Sequence, residues 1–176
     1  MKLRMRLLDA AAVLILALGA ATQAGARVVS LEILETGPAF GGQSFGTTGS
    51  YQLLKAVARF EVDPAFPVNA SLVNVGHAPR NARGKVEFDV DVLILRPKDL
   101  ARGNHHLFYE PVNRGSPLSL DLFNDAADRT SLDIAAAAGN GFLMRQGYTL
   151  VFGGWQPAYP GPVVPGMGVA SGSRLS

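Results

Sequence analysis

Five residues, Gly42-Gln43-Ser44-Phe45-Gly46, form a G-x-S-x-G pattern, the arrangement in which a serine on a sharp strand-to-helix turn projects its hydroxyl as a nucleophile above a sheet. The flanks fit that chemistry poorly. Residues 36 to 41 read as loop, Thr47-Thr48-Gly49 starts a helix badly, and a chain with 20 glycines produces such patterns readily, so a plain glycine-rich loop is the alternative for Ser44. A base for Ser44 would have to be His77, at a spacing that by itself brings nothing together. His105 and His106 are adjacent in an extended segment, so their rings point to opposite faces and cannot share one metal ion. With no H-x-x-x-H or H-x-E spacing, the sequence implies no metal and no cofactor. Asn113-Arg114-Gly115 follows an apolar run, where a turn after a parallel strand presents backbone amides to a ligand or a developing oxyanion. A simple strand-ending turn stabilised by Asn113 explains the same residues. Gly153-Gly154-Trp155-Gln156 ends the next apolar run, and Trp155 and Gln156 are candidates to line a pocket there, with a packing plug as the alternative for the tryptophan.

The elements that must position these residues are mostly strands. Val28 to Glu35 is β-branched and ends at Gly37-Pro38. From Tyr51 onward Ala56, Ala58, Phe60 and Val62 alternate with Lys55, Arg59, Glu61 and Asp63, which predicts a half-buried strand with a solvated charged side. Val86 to Ile94 alternates in the same way, becomes apolar on both sides at Leu93 and Leu95, and stops at Pro97. Ser71 to Val75 is a short strand candidate. His105 to Val112 and Tyr148 to Phe152 read as a parallel pair. Between them Thr130 or Ser131 can cap a helix through Asp133 to Ala138, and Asn140 a second, Phe142 to Gln146.

Composition sets the class. The 176 residues are 48% apolar and contain no cysteine, which excludes a disordered chain and a disulfide scaffold. Lys2, Arg4 and Arg6 precede an uninterrupted small and aliphatic run, Ala10 to Ala21, and Ala24-Gly25-Ala26 offers a processing site, so residues 1–26 read as a cleavable secretory signal. Twelve apolar residues fall short of the roughly 20 that cross a bilayer, so no stable membrane span is expected after cleavage. Removing Lys2, Arg4, Arg6 and Asp9 leaves 13 basic and 13 acidic residues, a neutral body with no basic stripe for nucleic acid. The expected destination is the periplasm or the medium.

Glycine-rich Gly41 to Gly46, Asp63-Pro64, Ala78-Pro79-Arg80-Asn81, Gly84-x-Val86-x-Phe88, Arg96-Pro97, Asn113-Arg114-Gly115, Gly141-Phe142-Leu143 and Gly147-Tyr148 through Gly154-Trp155-Gln156 resemble, in their order and spacing, the amino-terminal part of a family of exported α/β-hydrolase-domain proteins. The resemblance covers residues 28 to 156. It implies an α/β fold: the amino-terminal portion of an α/β-hydrolase-like sheet, an antiparallel meander leading into the first parallel strands, with few short helices. It also implies that residues 27–156 are a partial domain, that 157–176 is a disordered Pro/Gly/Ser-rich tail, and that the nucleophile, acid and histidine of a triad follow beyond Ser176. The complete protein would then hydrolyse an ester or similar acyl bond of a small molecule. A noncatalytic exported β-rich binding module is the competing expectation.

Overall fold

Period-two alternation marks Tyr51 to Val62 and Val86 to Ile94, and the sheet follows it. The structure, a computed structural model, describes residues 25–112, 117–128, 130–154 and 174–175. Its long strands are β1 (Ala26–Pro38), β3 (Gly49–Val62) and β4 (Val86–Pro97); β2 (Ser44–Phe45), β5 (Leu107–Pro111), β6 (Thr149–Gly153) and β7 (Arg174–Leu175) are short. The order across the sheet is β1-β3-β4-β6-β5, with β2 paired to β3 and β7 to β4. Only β5 and β6 run parallel among the described strands; every other pair is antiparallel.

Directly paired residues share a face, so the register sorts the side chains. On one face Val28, Leu31 and Ile33 of β1 stand opposite Phe60, Ala58 and Ala56 of β3, which stand opposite Phe88, Val90 and Val92 of β4. The Phe60 and Phe88 rings stack there at 5.2 Å. The other face is divided. Its Val62 end carries Arg27, Glu61 and Glu87, whereas at its Tyr51 end Tyr51, Leu53, Leu93, Leu95, Leu150 and Phe152 form the floor of the main core. Helix α1 (Ser119–Asn124) contributes Leu120 to that core and α2 (Phe142–Arg145) contributes Leu143 and Met144, so among the described residues the α-helices cover this face.

This arrangement corrects the expected α/β class. Among the described residues the two α-helices have six and four residues, and the sheet is strand-rich and mixed, without the layered α/β-hydrolase-like portion that the resemblance implied. The crossover between β5 and β6 is too irregular to make a helical layer. Its expected helix, Asp133 to Ala138, is only a 3-10 turn at Ala135–Ala138. The cause is competition for carbonyls: those of Leu132 and Asp133, which an α-helix would use, accept instead from the Phe40 and Gly41 amides at 2.9 and 2.6 Å. The expected strand Ser71 to Val75 also gives way to 3-10 turns, Pro67–Ser71 and Val75–His77. Asn74 adopts φ 63 between them, and a residue in the left-handed region breaks a ladder. Of the 157–176 tail, Arg174 and Leu175 pair with Asp89 and Phe88; the rest of the tail, like residues 1–24, lies outside the described residues. Among the described residues no helix is long and apolar enough to cross a membrane.

Candidate functional site

The carboxyl ends of the parallel pair lie side by side, with Pro111 opposite Gly153. The Val112 amide extends the pairing by donating to the Gly153 carbonyl at 3.0 Å, and the Gly154 amide donates to the Asp91 carbonyl at 2.9 Å. The described pairing therefore ends at Val112 and Gly154, one residue before Asn113 and one residue before Trp155. Asn113, Arg114, Gly115, Trp155 and Gln156 themselves lie outside the described residues. What the described residues establish is where both segments start, at one edge of the sheet. A Cβ at Gly153 would come within 2.6 Å of the Tyr109 hydroxyl, so the exposed tyrosine ring would have to shift to admit one.

Glu110, on β5, secures the return from the first segment. Its carboxylate accepts from the Leu118 amide at 2.6 Å and the Ser119 amide at 3.1 Å. An acidic group at the first amides of a helix satisfies donors that the helix leaves free. The Ser119 hydroxyl beside them is buried and finds no hydrogen-bond partner among the described residues.

Ser44 sits elsewhere. It pairs with Ser50 at the beginning of β3, is exposed, and is followed by a 3-10 turn, Gly46–Thr48, where an elbow would need a helix. No described histidine or carboxylate hydrogen-bonds its hydroxyl. His77 follows the far end of β3, and the 12 residues from Ser50 to Val62 span about 40 Å of strand. The glycine loop instead works as a plug, because Phe40 and Phe45 are buried and Phe45 meets both Phe40 and Tyr51 edge to face, at 5.5 and 5.7 Å. His105 and His106 lie just before β5, at the opposite edge from Val112 and Gly154. Among the described residues no group of three histidines and carboxylates could hold a metal ion.

An ion-pair cluster that alternation alone hides lies at the Val62 end of β3. Glu61 is read from its period as solvated, yet its side chain is 3% exposed. Arg27 donates to Oε2 through Nε and Nη2; Arg83 and Asn81 donate to Oε1. These donors, Arg27 first, hold the carboxyl at about 2, against the opposing effect of desolvation. Lys85 pairs with Asp63 beside it and lowers that carboxyl as well. A cleft of about 400 Å³ opens here, lined by Arg27, Glu61, Asp63, Phe66, Arg83 and Lys85. Its three cations face Glu61, Asp63 and Glu87, so the cluster is neutral and both Glu61 oxygens are occupied. A carboxylate held this firmly ionised cannot serve as a general acid near neutral pH.

Compared with protein-family models, curated proteins and solved structures, the chain matches none of them.

Proposed function

We propose that this chain is the sheet-bearing part of an exported acyl-bond hydrolase that takes a small ester-like substrate at the carboxyl edge of β5 and β6. Backbone amides of Asn113, Arg114 and Gly115 would stabilise the oxyanion, and the nucleophile, acid and histidine would come from sequence beyond Ser176. The observation that carries this reading is the parallel pair, with Pro111 opposite Gly153 and the described pairing ending at Val112, directly before that tripeptide. Parallel strands place ligands at this edge, because the connections there are free to diverge and expose their amides. The alternative, a noncatalytic binding module, is favoured by Ser44 lying exposed in a strand pair and being followed by a 3-10 turn rather than the helix of an elbow.

The test is fluorophosphonate labelling of the protein isolated from its exporting cell, read by intact mass and peptide mapping. An adduct on a serine outside residues 1–176, together with hydrolysis of a p-nitrophenyl ester, supports the hydrolase. A folded protein that takes no adduct and turns over no ester overturns it. An adduct on Ser44 that disappears in Ser44→Ala would move the site to the glycine loop and overturn the assignment to the β5–β6 edge.

A further inference from the structure

Gly25 is built into the folded sheet. Its carbonyl accepts from the Asp63 amide at 3.0 Å and from Asn69 Nδ2 at 2.6 Å. Asn69 is 7% exposed, and the same Nδ2 donates to the Asp63 carbonyl at 2.8 Å, so this side-chain amide fastens residue 25 to the end of β3. Phe66, Val68 and Asn69 close over the glycine, where a Cβ would meet them at 2.7, 2.7 and 2.9 Å. Next along the chain, Ala26 pairs with Val62 and Arg27 with Glu61, the first rungs of the β1–β3 ladder.

The peptidase that removes an export signal reads small residues directly before the cut and two positions earlier. Two bonds meet that requirement. One follows Ala26, with Ala24 two positions earlier; the other follows Ala24, with Thr22 two positions earlier. By side-chain size alone the first is the better site, because alanine is smaller than threonine. The fold favours the second. A cut after Ala26 removes the Gly25 oxygen, leaves the Asp63 amide and one Asn69 proton without their acceptor, and deletes the Ala26–Val62 rung. In the folded chain that bond also lies within a paired strand, with Arg27 tied to Glu61, whereas proteolysis concentrates on backbone free of such pairing. A cut after Ala24 keeps every one of these contacts.

We infer that the export signal ends at Ala24 and the processed chain begins at Gly25. Water is added across the Ala24–Gly25 amide, freeing the Ala24 carboxylate with the signal and the Gly25 α-amino group on the domain. The inference rests on the export reading and replaces the Ala26–Arg27 bond, which the Ala24-Gly25-Ala26 pattern favours, with the bond before Gly25.

Amino-terminal sequencing and intact mass of the chain recovered outside the cytoplasm test this directly. The expected result is one amino terminus, at Gly25. A terminus at Arg27, with a mass lower by one glycine and one alanine residue, overturns the inference and leaves export standing. A chain found only inside the cell with its first 24 residues attached overturns the export reading and the inference with it. Two variants separate the sites further. Ala26→Leu, at an exposed position after the expected cut, should leave the Gly25 terminus unchanged, whereas Thr22→Lys should leave unprocessed precursor. Loss of processing in Ala26→Leu with normal processing in Thr22→Lys would assign the cut to the Ala26–Arg27 bond and overturn the inference.

Discussion

The Arg27 guanidinium reaches the Glu61 carboxylate through two hydrogen bonds, 3.1 Å from Nε and 2.8 Å from Nη2, across 34 residues of sequence. The register of β1 on β3 sets these residues directly opposite one another, so the pair reports correct strand alignment. Arg83 and Asn81 reach the other carboxylate oxygen from the turn before β4. One buried carboxylate therefore ties together β1, β3 and the β3–β4 connection.

Acid should loosen this corner. The folded carboxyl of Glu61 titrates at about 2 and an unfolded one near 4.5, so stability from this group is fully present above about 4.5 and is lost as pH falls toward 2. Asp63, lowered chiefly by Lys85, and Asp128, lowered chiefly by the Thr130 amide, act in the same direction. Thermal midpoints from pH 7 to pH 2 should fall mainly within that acidic window. Glu61→Gln should flatten the fall and lower the midpoint at pH 7.

Tyr51 tests the main core. Its ring is buried, and its hydroxyl lies within hydrogen-bond distance of the Met144 and Tyr148 carbonyls at 3.2 and 2.9 Å. Burial raises the phenol pKa, so it remains a donor. Tyr51→Phe leaves both carbonyls without that donor and should cost about 1–2 kcal/mol in urea unfolding, with the m-value unchanged.

Gly139 tests the crossover. It adopts φ 54, and a Cβ would lie 2.1 Å from the Asn124 carbonyl oxygen and 2.8 Å from the Ala126 nitrogen. Both neighbours are backbone and cannot rotate away. Gly139→Ala should destabilise by about 3 kcal/mol, whereas Gly76→Ala, with open space at its Cβ, should stay within about 0.5 kcal/mol of wild type. Chemical denaturation of the two variants side by side decides this.

Glu110 tests the anchoring of the β5–β6 edge. Removing its carboxylate in Glu110→Ala frees the Leu118 and Ser119 amides, and hydrogen bonds to a charged acceptor contribute about 1.5–3 kcal/mol each. Hydrogen exchange read by mass spectrometry should show faster exchange in the peptide containing Leu118 and Ser119, with β3 and β4 unchanged. Glu110→Gln, which keeps one acceptor oxygen, should be intermediate.

Much of this architecture is written in local pattern. Alternation in Tyr51 to Val62 and Val86 to Ile94 places each side chain on a face whatever the partners are, because the pleat has a period of two, and prolines and glycines mark most strand ends. The edge where Asn113 and Trp155 begin is also legible, since an apolar strand before each segment implies it. Tertiary structure alone decided what each face meets. The charged side of β3 was read as solvated, but Arg27, Asn81 and Arg83 arrive from 20 to 34 residues away and bury Glu61, which no local period can encode. The apolar side, read as the packed one, carries no α-helix among the described residues. The alanine run at residues 135–138 has helical propensity, yet the glycine loop takes the Leu132 and Asp133 carbonyls and leaves a single 3-10 turn. Strand identity depends on residues next to each other in sequence, whereas burial and helix length depend on which distant donors reach a given oxygen first.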